Sequence, residues 1–142
     1  VDENKIEADV KIIDLSQDFR LKKSSHHAGR EFVYGLPELN MDKIRLAKNI
    51  ANPGCFATAI QLGLLPLAKK GILGHVYTTG ITGSTGAGQS LSASSHFSWR
   101  ANNIQAYKTL NHQHVKEILE SLDQLQSNFS GEEEKLNFAI VW

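Results

Sequence analysis

The chain has 142 residues, with 15 Lys and Arg balanced by 15 Asp and Glu and 41% hydrophobic residues, enough for one ordinary globular core and without the basic excess that nucleic acid calls for. Its single cysteine excludes an internal disulfide, no apolar run is long enough to span a bilayer, and no charged-then-apolar leader opens the chain. No membrane and no nucleic acid are expected as partners, and the cytoplasm is the expected address.

Val10-Lys11-Ile12-Ile13-Asp14-Leu15 reads as a buried strand. A loop is expected through Tyr34-Gly35-Leu36-Pro37-Glu38, then a short helix near Met41 to Ala47. From Cys55 the residues Ala57, Ala59, Ile60, Leu62, Leu64, Leu65, Leu67 and Ala68 favour a helix that ends at Gly71, with Pro66 expected to kink or break it near Leu65. His75 to Thr82 is rich in β-branched residues and reads as a second strand, followed by the glycine-rich Gly83 to Ser90 and the serine-rich Ser90 to Ser98. A last helix over His114 to Gln126 puts Val115, Ile118, Leu119, Leu122 and Leu125 on one face. Ser127 to Lys135, with Glu132-Glu133-Glu134, reads as a solvated polar turn, and Leu136 to Trp142 as a strand. With no initiator methionine before Val1 and no turn after Trp142, the sequence is expected to be an excerpt of a longer protein.

Cys55 is the best nucleophile candidate. In Asn52-Pro53-Gly54-Cys55-Phe56, Asn52 can accept from a first-turn amide, Pro53 has its φ preset and Gly54 lets the backbone approach closely, so the sulfur falls at a helix mouth. Unpaired amides and the macrodipole there favour the thiolate, the reactive form. The bland alternative is a small buried hydrophobe.

Three other groups can join it. In His112-Gln113-His114 an imidazole can move protons near neutrality, and Glu117, one turn on, can orient His114; the alternative is two surface histidines capping a helix. The scattered ligands lack the spacing of a structural zinc site. Gly80 to Gly88 matches neither a P-loop nor the dinucleotide fingerprint; it is a flexible turn or, as a minority reading, one wall of a cofactor pocket. Arg20, just beyond the first strand, can fork onto a carboxylate or phosphate, or pair with Asp14 or Asp18.

Taken together, Asp14-Leu15-Ser16-Gln17-Asp18-Phe19-Arg20, Tyr34-Gly35-Leu36-Pro37-Glu38-Leu39, Ala51-Asn52-Pro53-Gly54-Cys55-Phe56-Ala57-Thr58, Thr82-Gly83-Ser84-Thr85-Gly86-Ala87-Gly88, Ala106-Tyr107 and His112 to Ile118 follow an order and spacing that resemble the N-acetyl-gamma-glutamyl-phosphate reductases over nearly the whole chain. The resemblance implies an α+β fold, a mixed sheet with helices on one face, of the glyceraldehyde-3-phosphate dehydrogenase-like catalytic type. It implies that residues 1–20 are the last strand and exit loop of a dinucleotide-binding domain and that 21–142 are an incomplete catalytic and dimerisation domain.

The implied activity is NADPH-dependent reductive dephosphorylation of N-acetyl-glutamyl 5-phosphate to the semialdehyde in arginine biosynthesis, through a cysteine thioester. By matching, Cys55 is the nucleophile and His112 the general acid/base, Arg20, Tyr107, His114 and Glu117 bind substrate, and Ser84, Gly86 and Gly88 lie near the cofactor, NADP. The implied partners are a small-molecule acyl phosphate, phosphate and further copies of the chain, as homodimer or homotetramer. Gln113 stands where the family has arginine, so N-succinyl is an alternative to N-acetyl, and the glycine-rich dinucleotide segment that precedes the first motif is missing, so the excerpt alone is expected to be inactive. A Cys/His thiol hydrolase or acyltransferase and a non-catalytic oligomerisation domain are the competing classes.

Overall fold

The computed structural model describes residues 6–7, 9–87, 90, 92–127, 129 and 135–141, with the side chains of Ala87 and Tyr107 also left aside. The expectations for Val1 to Lys5, Gly88, Gln89, Glu132 to Glu134 and Trp142 lie outside the described residues.

Two mixed sheets carry the fold. The first joins β1 (Ile12–Asp14), β2 (His26–His27), β3 (Arg30–Tyr34) and β4 (Asn49–Ala51) in the order β1-β4-β3-β2. β4 runs parallel to both β1 and β3, with Ile13 and Val33 opposite Ile50, while β2 returns antiparallel on β3. The second sheet has the order β5-β7-β6, from β5 (Val76–Ile81), β6 (Ala106–Tyr107) and β7 (Leu136–Val141). β5 and β7 are parallel and β6 is antiparallel to β7.

Of these strands only β1, β5 and β7 were legible in advance. No strand is expected where β2, β3 and β4 form, and β3 takes in Tyr34, the first residue of the expected loop; the three hold two, five and three residues, too few for a periodic signal. β4 is nonetheless central, and its Asn49 is buried because Arg30 donates to its Oδ1 at 3.2 Å and its own amide donates to the Glu31 carbonyl at 3.1 Å.

The helices pack on one face of the second sheet. α2 (Cys55–Lys69) buries Ala57, Gln61, Leu65 and Ala68, a stripe at helical spacing, against Ile118 and Leu122 of α4 (His114–Asp123). Alternate residues of β7, Leu136, Phe138 and Ile140, point the same way and are buried. Gly80 on β5 has no room for a side chain, since an added Cβ would overlap the Phe56 ring. Phe56 therefore turns inward, its ring 5.3 Å edge-on from Phe138, and the residue before it turns outward. A smaller core forms where Phe19 stacks on Phe32 at 4.1 Å over Ala51.

Three local expectations change. α1 (Pro37–Leu46) starts earlier than Met41 because Pro37 supplies a preset first turn; it kinks at Asn40, whose amide donates to the Tyr34 carbonyl at 3.1 Å. α2 continues through Pro66 instead of breaking. The carbonyl that loses its donor there belongs to Leu62, which like Pro66 is exposed, so water can serve it while the buried stripe holds the helix. Finally α4 ends at Asp123, and Leu125 is part-exposed beyond it.

Candidate active site

Cys55 is the first residue of α2, free and exposed. The chain reaches it directly from β4 through Asn52-Pro53-Gly54, anchored where the Asn52 amide donates to the Asp14 carbonyl of β1 at 2.8 Å. Asn52 does not cap the helix as expected. Gly54 is the N-cap, with extended backbone and no side chain to offer, so the first-turn amides remain available to whatever enters. The Gly54 N–H itself is taken, donating to Glu117 Oε2 at 3.1 Å.

A cleft of about 410 Å³ opens at this point, with Cys55, Arg20, Gln17, His112 and His114 among its walls and Thr82 and Gly86 on another side. A larger cavity of about 560 Å³ lies elsewhere, around Arg30, Lys48 and Asn49, but holds no nucleophile or histidine. Cys55 and both histidines line the smaller one.

Two of its wall residues, Arg20 and Gly54, are tied from behind by Glu117, which is only 4% exposed and is not itself part of the wall. Oε1 accepts from Arg20 Nη1 at 3.0 Å; Oε2 accepts from Tyr34 Oη at 3.1 Å as well as from Gly54. Tyr34 Oη in turn accepts from Gln61 Nε2 at 2.8 Å, and burial raises its pKa beyond the ordinary phenol range, so it stays a donor to the carboxylate. Arg20 thus pairs with Glu117, in place of Asp14 or Asp18, and its Nη2 donates to the Leu15 carbonyl at 3.1 Å. Glu117 is not hydrogen-bonded to His114, whose Nε2 stands 4.0 Å from Oε1.

The two histidines are buried and pack ring against ring, centroids 4.4 Å apart. His112 Nδ1 accepts from the His114 backbone N–H at 3.2 Å. Because that amide can only donate, a neutral His112 must carry its proton on Nε2. Burial first, then His114 and Lys108, lowers the His112 pKa from 6.5 to about 4, so the ring is neutral across the physiological range. His114 is also lowered, chiefly by burial, with Glu117 pulling the other way. Its imidazole lies directly over Gly54, where a Cβ would overlap the ring.

The structure therefore brings Cys55, His112, His114 and Arg20 to one cleft, with Gly86 at its edge. Ser84 begins the short 3-10 turn that contains Gly86, outside the cleft wall. Tyr107 is placed by its backbone in β6, opposite Ile140. Tyr34 and Gln61 were not anticipated as site residues. Tyr34 stood in a quoted motif, but its partner is 83 residues away and no spacing could supply it. Among the described residues no group of His, Cys, Asp or Glu could hold a metal ion, and no helix is long and apolar enough to cross a membrane.

Residues 55–141 match the family profile of the semialdehyde dehydrogenase dimerisation domain, and residues 1–47 that of the semialdehyde dehydrogenase NAD binding domain. The chain is similar to N-acetyl-gamma-glutamyl-phosphate reductase of Flavobacterium johnsoniae, 59% identical over 131 residues, covering 92% of this chain and 40% of the relative. It is also similar to the reductase of that name from Bacteroides thetaiotaomicron, 56% identical over 133 residues, covering 93% and 40%. The chain thus spans about 40% of the length of the curated relatives it matches.

Proposed function

The chain belongs to the semialdehyde dehydrogenase family, and from that premise we propose that it carries the nucleophile and proton donor of an N-acetyl-gamma-glutamyl-phosphate reductase of arginine biosynthesis. One observation carries the reading: the sole cysteine stands exposed at the first position of α2, in a cleft it shares with a proton-bearing histidine and an arginine. A buried structural cysteine would occupy none of these positions.

Cys55, having released its thiol proton to solvent, attacks the acyl carbon, and the C–O bond to phosphate breaks to leave a thioester on Sγ. The free amides at the mouth of α2 and the Arg20 guanidinium face the negative charge of the acyl phosphate. His112, neutral with its single proton on Nε2, donates a hydrogen bond from Nε2–H to the carbonyl oxygen as negative charge develops there. When bound, the nicotinamide of NADPH supplies hydride chemistry at this cleft. The residues present fit its reactive end alone: Thr82 and Gly86 form a wall of small groups beside Cys55, and a Cβ on Gly86 would come within 3.0 Å of Thr82 Oγ1. Gly86, with Ser84 and Gly88 of the same segment, is assigned there; Gly88 lies outside the described residues.

Glu117 is reassigned from substrate contact to positioning, since its oxygens are occupied by Arg20, Tyr34 and Gly54. Tyr107 and His114 keep a proposed substrate role. We set the end of the dinucleotide-binding part after β4 rather than at residue 20, because β1, β3 and β4 form one sheet and the NAD-binding match runs to residue 47. A homodimer or homotetramer in the cytoplasm is the proposed working form, and the segment alone is expected to bind NADPH poorly.

The test is phosphate-dependent reduction of NADP by the full-length gene product, with the N-acetylated and the N-succinylated semialdehyde in parallel. Turnover with the N-acetyl substrate is expected; turnover with neither overturns the reading, and a preference for N-succinyl would trace to Gln113, whose Oε1 accepts from Lys108 at 2.9 Å beside the cleft.

A further inference from the structure

We propose that Tyr34 is a positioning residue for Cys55: through Glu117 it fixes the Gly54 amide at the mouth of α2, and through Gln61 it holds the same helix a second time, further along. The inference rests on the reading of Cys55 as nucleophile and on no assumption about its substrate.

The hydrogen bonds have forced directions. The Gln61 amide nitrogen can only donate and the Glu117 carboxylate can only accept, so the one Tyr34 hydroxyl accepts from the first at 2.8 Å and donates to the second at 3.1 Å. Glu117 Oε2 then has two donors, Tyr34 Oη and Gly54 N–H, and the second belongs to the residue immediately before Cys55. Gln61 is fully buried; among the described residues its Oε1 has no partner, and its Nε2 donates to Tyr34. A buried amide half-satisfied in this way costs stability relative to a hydrophobic residue of similar size. That cost is explained if the bond serves to place α2.

Tyr34 also has no access to the chemistry itself. It is absent from the walls of the cleft, and its effect on Cys55 must pass through Glu117 and Gly54. Without the hydroxyl, Oε2 keeps a single donor and the carboxylate can swing toward His114 Nε2, now 4.0 Å from Oε1, releasing the Gly54 amide. The thiol at the helix mouth then loses its fixed direction into the cleft.

The experiment compares Tyr34→Phe and Tyr34→Phe/Gln61→Leu with the parent in the full-length gene product. The second variant removes the amide that the first leaves unpaired, and so restores stability lost for that reason alone. Three readouts are taken: the rate of Cys55 alkylation by iodoacetamide, the thermal midpoint, and kcat and KM. Both variants are expected to alkylate at least about threefold more slowly and to lose about tenfold in kcat with KM within about twofold, a difference made at the reacting group. Parental alkylation in either variant overturns the proposal, and so does recovery of kcat together with the thermal midpoint in the double variant, which would make the network structural only. If Tyr34→Phe does not fold, the double variant decides. Alkylation also separates this proposal from the assignment of activity: slow alkylation in a protein with no reductase turnover would sustain the positioning role and sink the function.

Discussion

Cys55 is exposed and differs from serine by one atom, so Cys55→Ser should leave the fold intact while removing the thioester route. Turnover of the full-length gene product is expected to fall by about a thousandfold or more, with an unchanged circular dichroism spectrum. The neighbouring glycine is the opposite case. Gly54 has ordinary extended φ and ψ, so its requirement is steric: the His114 ring occupies the space of a Cβ. Gly54→Ala is expected to cost about 1–3 kcal/mol in denaturant unfolding, as overpacking does, and to shift the histidine that shares the cleft with the sulfur. The proton donor has its own signature. The folded His112 takes up a proton only near pH 4, whereas the unfolded chain does so near 6.5, so between these values the unfolded state holds more protons and stability falls as pH falls. The stabilisation is complete above about pH 6.5 and lost toward pH 4. Substituting His112→Gln should flatten that part of a plot of unfolding free energy against pH, and a slope unchanged by the substitution would assign it elsewhere.

At the level of elements, what could be read in advance was what repeats. The helix-favouring run from Ala57 to Ala68 and the face Val115, Ile118, Leu119, Leu122 extend over about two turns or more, and β5 carries enough β-branched residues to declare itself. β4 has three residues, one a buried Asn whose satisfaction depends on Arg30 and Glu31, so nothing local distinguishes it from the loop that follows. The helix mouth at Cys55 was legible because Asn-Pro-Gly before an apolar run is a local signal, although the cap itself was misassigned: Asn52 was the better capping residue, and the backbone geometry chose Gly54. Pro66 was read by its local cost alone, and packing overrode it. That override is measurable. Pro66→Ala restores an N–H to the exposed Leu62 carbonyl without touching the buried stripe, and α2 should gain about 1–3 kcal/mol, seen as a higher denaturant midpoint at unchanged slope.

At the scale of the molecule, the N-terminal part of the chain and α4 meet through two carboxylates, Glu117 above all. Glu117 reaches Arg20 across 97 residues of sequence, Tyr34 across 83 and Gly54 across 63, and one turn later Glu120 accepts from the Lys22 amide across 98. None of these pairs has a sequence signal, since spacing speaks only within an element, and this is why the residues of the cleft were nameable while its organisation was not. The consequence is a mechanical one. Both oxygens of Glu117 face donors, so Glu117→Gln, which keeps the shape, must aim an N–H₂ at Arg20, Tyr34 or Gly54 and leave Arg20 without its counter-charge. Breaking a buried ion pair from one side costs about 3–5 kcal/mol, and here the loss is shared by every element the carboxylate ties. Amide hydrogen exchange should therefore speed up together in β1, β4, the first turn of α2 and α4. Acceleration confined to α4 would show that the sheet and the helices open independently, and that the cleft at Cys55 is assembled from two parts rather than held as one.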